Sequence, residues 1–278
     1  MSSQVLNFET IKEKALQIRI NSLKMIHAAK SGHPGGSLSI ADILATLYFG
    51  GHLKHDPKNP KSEDRDILVV SKGHSSPAVY SALGLAGFFN IEDTINFRKL
   101  GSPFQGHIDC VRVPGVEMST GSLGHGLSNA NGFAIAAKLD KTNRKVFAIL
   151  SDGELQEGQS WEAFMAAAHF QLNNLVVFID RNRIQLDGFT ETTMALNPLE
   201  DKLRAFNWNT TVIDGHNVEE INSALEKAYK TAESSDKPFI IIANTVKGKG
   251  VSFMEDQVSW HGVAPKDEDL EKALEELK

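Results

Sequence analysis

Two short apolar runs in this chain are each followed directly by a polar cluster. Residues 146–158 read VFAILSDGELQEG, and residues 175–184 read LVVFIDRNRI. The apolar parts are rich in β-branched and aromatic side chains and only about five residues long, which is typical of strands that are buried on both faces. Strands of this kind belong to parallel sheets, so the two runs point to an α/β protein.

The rest of the chain alternates strand and helix patterns. We predict a doubly wound α/β fold, in which a mostly parallel sheet carries helices on both faces and residues 1–278 form a single domain. The loop-rich stretches 101–126 and 247–265 are candidates for functional loops. The further strand candidates are 66–70, 239–243 and, more weakly, 211–213, and the helix candidates are 8–31, 39–48, 127–139, 160–170 and 218–232.

Composition excludes several classes of protein. The 278 residues are 41% hydrophobic and 23% charged, which is ordinary for a soluble globular protein. A net charge of −6 argues against a nucleic-acid-binding surface. Cys110 is the only cysteine, so an intramolecular disulfide is impossible and a reducing, cytoplasmic setting is favoured. Neither a signal peptide nor a membrane-spanning apolar run is apparent, and we expect no membrane partner.

The polar clusters at the strand ends suggest a cation site. Asp152 follows one strand, and Asn182 with Ile184 follows the next. A carboxylate, an amide oxygen and a backbone carbonyl suit Mg²⁺ or Ca²⁺, and Mg²⁺ is usually shared with ligand phosphates. Ligands of open parallel sheets bind beyond the carboxyl ends of the strands. We therefore expect one pocket to contain these residues together with 72–74 and 247–250.

The combination of residues 151–158 with 182–184 resembles the thiamine-diphosphate signature of transketolases. The resemblance implies the thiamine-diphosphate-binding fold, with Asp152, the Asn182 side chain and the Ile184 carbonyl as metal ligands. It also implies that Gly153 and Glu154 contact the cofactor. Ser151 stands where that family usually has glycine, so we expect a slightly different turn without an effect on the metal ligands.

Four histidines strengthen the resemblance. His33 lies in SGHPGG at 31–36, and His74, His107 and His261 also match histidines of that family in the family's order. The resemblance implies that all four are catalytic, binding sugar hydroxyls and carrying protons, and that His74 and His261 also contact the cofactor. Imidazole suits this role because it titrates near neutral pH.

The glycine-rich stretch TGSLGHGLS, residues 120–128, is similar to a cofactor loop of the same family. Glycines there can leave backbone N–H groups free to bind an anion, although a tightly packed turn entering a helix would need the same residues. The resemblance implies cofactor contacts from Gly121, Ser122 and Leu123. Lys247, in the basic glycine loop, either contacts the diphosphate or is solvated. His125 and Ile108 depart from the commoner Gln and Pro.

Glu157 and Glu162 lie at the predicted start of a helix, where an acidic side chain can act as a cap or favour the helix dipole. The resemblance instead implies that they join a hydrogen-bonded network across a subunit interface.

The resemblance covers nearly the whole chain but only the first domain of a full-length transketolase. The resemblance implies that the pyrimidine-binding and C-terminal domains are absent from this chain. We therefore predict the amino-terminal subunit of a split transketolase, which transfers a two-carbon ketol unit from a ketose phosphate to an aldose phosphate. Its partner would be a separately encoded C-terminal subunit, with self-association into an α2β2 assembly.

Two other interpretations remain open at this stage. The chain could belong to another thiamine-diphosphate enzyme, either similar to deoxyxylulose-phosphate synthase or decarboxylating 2-oxoacids. It could also be a cofactor-binding scaffold without catalytic activity.

Overall fold

One parallel five-stranded sheet organises the computed structural model, which describes residues 7–278. Its strands are β1 (Ile67–Val70), β2 (Val146–Ser151), β3 (Leu175–Arg181), β4 (Asn209–Asp214) and β5 (Phe239–Asn244). They lie in the order β1-β2-β3-β5-β4. All neighbouring strands run parallel, so the predicted α/β class is confirmed.

The helices alternate with the strands as expected but differ from the predicted set in three respects. The α-helices are α1 (Phe8–Ala29), α2 (Pro34–Ser39), α3 (Ala41–Phe49), α4 (Ser76–Leu85), α5 (Gly126–Leu139), α6 (Gly158–His169), α7 (Thr190–Thr193), α8 (Leu199–Ala205), α9 (Val218–Ala232) and α10 (Asp267–Glu276). The helix predicted for 39–48 is the pair α2 and α3 with Ile40 between them, because Pro34 begins an earlier turn. Helix α1 ends two residues early, before Lys30 in a left-handed conformation. Helices α4, α7, α8 and α10 were not predicted.

Both faces of the sheet are covered by helices. Alternate strand residues such as Phe147 and Ile149 pack in a core with α1, α3, α4 and α9. Their neighbours, such as Ala148 and Leu150, pack in a second core with α5, α6 and α8. Burial on two faces explains why the central strands are apolar without alternation. Edge strand β4 is half exposed, with Val212 at 45%, and its sequence signal was correspondingly weak.

The strand register places the predicted functional segments together at the carboxyl ends of the strands. Ser151 pairs with Asp180, which pairs in turn with Ala243. The carboxyl ends of β2, β3 and β5, where the chain enters these segments, therefore lie next to one another. The predicted loops 101–126 and 247–265 contain no strand, and apart from the start of α5 they contain no α-helix. No helix in residues 7–278 is both long and apolar enough to cross a membrane.

The buried sheet face predicts a large cost for removing a central aromatic side chain. Phe178 in β3 is fully buried, so Phe178→Ala should lower the free energy of unfolding by about 3–5 kcal/mol. Phe170, after α6, is 53% exposed, and the same truncation there should cost less than about 1 kcal/mol. Urea denaturation followed by circular dichroism measures both. Equal losses for the two variants would contradict this packing.

Candidate active site

A cavity of about 440 Å³ lies at the carboxyl end of the sheet. It brings together most of the predicted site residues from seven separate parts of the chain. Three of the predicted residues do not line it, namely Asp152, Ser122 and Glu162. The lining includes His33, His74, His107, Gly121, Leu123, Gly153, Glu154, Glu157, Asn182, Ile184, Lys247 and His261.

The centre of polar contacts beneath this cavity is Asp180, which was not predicted to have a role. It is fully buried at the end of β3. Its carboxylate accepts hydrogen bonds from Ser39 Oγ and Asn182 Nδ2, both at 2.8 Å, and from Lys72 Nζ and Thr245 Oγ1. Burial acts to raise the pKa of Asp180, but the Lys72 ammonium outweighs it and the pKa is lowered. Asp180 therefore remains a carboxylate that ties four segments together.

Asp152 lies directly behind the cavity wall and is fully buried. One carboxylate oxygen accepts from Gly153 N at 2.8 Å, and the other accepts from Arg183 N at 2.6 Å. The Arg181 guanidinium is 3.4 Å away. Burial, followed by the charge of Asp180, raises the pKa of Asp152 to about 6. A cation beside this carboxylate would therefore be stabilised.

The two other predicted metal ligands lie next to each other. Asn182 Oδ1 accepts a hydrogen bond from Ile184 N at 3.1 Å, and the Ile184 carbonyl accepts one from Lys247 Nζ at 3.0 Å. Within residues 7–278 no group of three or more His, Cys, Asp or Glu side chains is placed to hold a metal. The candidate set is thus one carboxylate, one amide and one carbonyl, all hard oxygen donors that fit Mg²⁺ completed by phosphate oxygens.

Lys247 is a buried basic residue of this cavity, with 2% of its surface exposed. Its Nζ lies 2.6 Å from His261 Nδ1, and it forms no salt bridge with a carboxylate of the described residues. Burial, followed by repulsion from Lys72, lowers the pKa of Lys247 to about 7. An anion in the cavity would reverse this effect because it would compensate the ammonium charge.

The four predicted histidines form one cluster, with His33 at its centre. The His33 ring centroid lies 5.2 Å from that of His74, 6.2 Å from His107 and 5.5 Å from His261. Burial lowers the pKa of all four: to about 4 for His33, where Arg98 contributes, and to about 3 for His261. The imidazoles are therefore neutral at pH 7. The buried Nδ1 of His33 has no hydrogen-bond partner among the described residues.

The glycine-rich loop differs from its expected role. Gly124 N donates to Glu154 Oε1 at 2.8 Å, and Gly126 N donates to Ser71 Oγ at 3.1 Å. The prediction that these N–H groups are left free for an anion is therefore wrong for both glycines. Glu154 is fully buried, and its carboxylate also accepts from Ser71 and Ser151. It lines the cavity while holding two of the cavity loops in place.

Two glycines of the site are required by the packing of the protein itself. Gly121 has φ of +147°, and a Cβ there would lie 2.8 Å from the His107 ring. A Cβ on Gly153 would lie 2.8 Å from Gln185 Cβ. Both glycines therefore allow neighbouring loops to approach closely, whatever the cavity binds.

Three predicted residues occupy the surface. Ser122 is exposed and lies outside the cavity lining, whereas its neighbour Leu123 is part of it. Glu157 is exposed at the rim of the cavity, and Glu162 is exposed on α6.

Several lining residues were given no role by the sequence reasoning. Lys72, the second residue after β1, was expected in the pocket as part of 72–74, but no contact was assigned to it. Gln156 lay inside the quoted motif without being assigned a role. The segment after Ile184 carries no pattern of its own, and it contributes Gln185, Leu186 and Asp187.

Comparison with known proteins agrees with this geometry. The family model described as "Transketolase, thiamine diphosphate binding domain" matches residues 11–277. A 6-deoxy-6-sulfo-D-fructose transketolase subunit of Clostridium sp. (strain MSTE9) is 45% identical and covers 96% of each chain. An apulose-4-phosphate transketolase subunit of Phocaeicola vulgatus is 40% identical over 97% of this chain and 94% of its own.

Solved structures show the same relationship to one part of a longer enzyme. Transketolase from Campylobacter jejuni superposes with a TM-score of 0.89 at 38% identity, covering 98% of this chain but 43% of that chain. On these matches, this chain belongs to the transketolase family, as its amino-terminal, thiamine-diphosphate-binding subunit.

Proposed function

We propose that this chain anchors thiamine diphosphate and Mg²⁺ in a two-subunit transketolase that transfers a two-carbon ketol unit between sugars. The observation that carries the proposal is a single cavity in which oxygen donors for a cation meet four neutral histidines. A separately encoded C-terminal subunit would complete the site. The relatives of similar length are named as subunits, which supports such a partner.

Asn182 and the Ile184 carbonyl in the cavity wall, with Asp152 directly behind that wall, would hold Mg²⁺, with Ca²⁺ as an alternative. Lys247 and His261 lie beside these ligands, where their donors would offset the charge of a diphosphate. Thiamine diphosphate, when bound, supplies the nucleophilic carbon of the reaction, and the protein supplies orientation and proton handling.

Next to Lys247, the histidine cluster would handle the sugar. Neutral imidazoles can accept a proton from a substrate hydroxyl and return it later. His33 is suited to this task because it lines the cavity at the centre of the cluster and burial keeps its imidazole neutral. His74, His107 and His261 surround it and would bind the remaining hydroxyls.

The names of two relatives narrow the substrate class. One is named for a sulfonated ketose and the other for a phosphorylated sugar, and both substrates carry an anionic group. We propose that the donor of this enzyme is likewise a ketose with a phosphate or sulfonate. Residues that bind this group would lie on the partner subunit.

We further propose an α2β2 assembly in the cytoplasm. Glu157 and Glu162 are exposed near the start of α6, which leaves both available for contact with a second copy of the chain. The single cysteine agrees with a reducing compartment.

The proposed reaction requires the partner subunit. Mixing the purified chain with its C-terminal subunit, thiamine diphosphate and Mg²⁺ should give turnover of xylulose 5-phosphate with ribose 5-phosphate, or of a sulfonated or apulose phosphate donor. Neither chain should give turnover by itself. Product analysis by mass spectrometry distinguishes the donors. Turnover of pyruvate alone would show a 2-oxoacid enzyme, and no turnover of any donor would favour a scaffold.

The cation site predicts a specific loss of cofactor binding. Asp152→Ala removes the carboxylate ligand, so the affinity of the assembled enzyme for thiamine diphosphate with Mg²⁺ should fall by about 100-fold or more. Asp187→Ala is a matched control, because Asp187 lines the same cavity but is exposed and outside the ligand set. Isothermal titration measures both. Unchanged binding in Asp152→Ala would remove Asp152 from the metal site.

The lowered pKa of His33 predicts a pH dependence of stability. With a folded pKa of about 4 against 6.5, the unfolded chain takes up the proton first as the pH falls. The stabilising contribution of neutral His33 is complete above about pH 6.5 and is lost towards pH 4. Urea midpoints between pH 7.5 and 4.5 should therefore decline less steeply in His33→Asn than in the wild type. His169→Asn, on an exposed helix end, should follow the wild type.

A further inference from the structure

The position of Lys247 depends on the backbone on either side of it. Its ammonium group contacts the Ile184 carbonyl and His261 Nδ1 but no carboxylate of the described residues, so no ion pair holds the side chain. On one side, Gly248 N donates to the Gly35 carbonyl at 3.0 Å. On the other side, Val246 N donates to His216 Nε2 at 2.8 Å. His216 is therefore one of the contacts that set the course of the chain into Lys247.

His216 lies in the turn between β4 and α9, and a buried ion pair holds its second ring nitrogen. His216 Nδ1 is 2.8 Å from Asp42 Oδ2. Asp42, at the start of α3, binds the Arg19 guanidinium of α1 through both oxygens, one of them at 3.2 Å. Burial acts to raise the pKa of Asp42, but Arg19 and His216 outweigh it and the pKa is lowered. Asp42 is therefore an ionised acceptor.

These two neighbours determine the tautomer of His216. A carboxylate can only accept, so Nδ1 must carry a proton and donate it to Asp42. A backbone N–H can only donate, so Nε2 must be unprotonated to receive the Val246 N–H. Only the neutral Nδ1–H tautomer satisfies both contacts.

We propose that His216 is a positioning residue for the cofactor site: its Nδ1–H tautomer, held by Asp42 and Arg19, fixes the Val246 peptide and so directs Lys247 into the cavity. The proposal rests on the proposed function, because it assigns Lys247 to the diphosphate. His216 itself is not a lining residue of the cavity. It acts through the backbone that precedes Lys247.

Two amide substitutions separate the two bonds of His216. In His216→Gln the amide oxygen can replace Nε2 and accept from Val246 N. In His216→Asn the amide nitrogen can replace Nδ1 and donate to Asp42, which leaves the Val246 N–H without an acceptor. In the complex with the partner subunit, His216→Asn should weaken thiamine diphosphate binding about 10-fold, because an unsatisfied N–H is costly. His216→Gln should bind within about 3-fold of the wild type on the same grounds.

His52 provides a matched control pair. It is 7% exposed, and its ring nitrogens also make two contacts, with Tyr229 OH at 3.2 Å and Asn222 Oδ1 at 2.9 Å. Tyr229 packs against Lys145, which directly precedes β2. His52 therefore lies near the amino ends of the strands, whereas the cavity lies at their carboxyl ends. His52→Gln and His52→Asn should lower the melting temperature while leaving cofactor affinity equal in the two variants.

A measurement on the unsubstituted chain tests the tautomer without cofactor or partner. Nitrogen-15 NMR at pH 7.5 should show His216 with a protonated Nδ1 and an unprotonated Nε2. The Nε2–H tautomer, or equal cofactor affinities of His216→Gln and His216→Asn, would overturn the inference. If the wild-type complex itself failed to bind thiamine diphosphate, the proposed function would be wrong, and the NMR result would still decide the tautomer.

Discussion

The buried ion pair between Lys72 and Asp180 is the contact on which the arrangement of the site depends. Both side chains are essentially excluded from solvent, so loss of either would leave an uncompensated buried charge. Asp180 also accepts from Ser39, Asn182 and Thr245, which lie on α2, after β3 and after β5. One carboxylate thereby sets the relative positions of the first helical layer, the candidate metal ligand Asn182 and the loop that leads to Lys247.

The cavity above this pair is built to compensate negative charge. Lys247 is a buried amine with a pKa lowered to about 7 and without a carboxylate partner among the described residues, so an anion in the cavity would favour its charged form, and the histidines are held neutral by burial. Asp152, with its raised pKa, supplies the single carboxylate that a metal would need. A metal diphosphate would therefore be stabilised from both sides, its cation by Asp152 and its anion by Lys247. In the role we propose for it, His216 places Lys247 without touching the ligand.

Much of the fold followed from local patterns, because strands buried on two faces must be apolar at every position. The central strands and the helices α5, α6 and α9 were predicted close to their observed bounds. Helices α2 and α3 were predicted as one helix, because nothing in the apolar spacing marks the break at Ile40. The site motifs were found in the same way, as polar residues directly after strands. Lys72 and Asp180 were not assigned roles, because their importance comes from pairing across 108 residues of sequence.

The sequence by itself determined the class of sheet, the edge at which the ligand site lies, and the residue types available there. These properties depend on short-range periodicity and on the order of strand ends along the chain. The tertiary structure alone decided how the donors and acceptors are used. Gly124 N–H serves Glu154 rather than a ligand, Ser122 lies outside the cavity lining, and His216 joins Asp42 to Val246. Those outcomes depend on which distant groups meet, and burial requires each polar group to find a partner that sequence spacing does not specify.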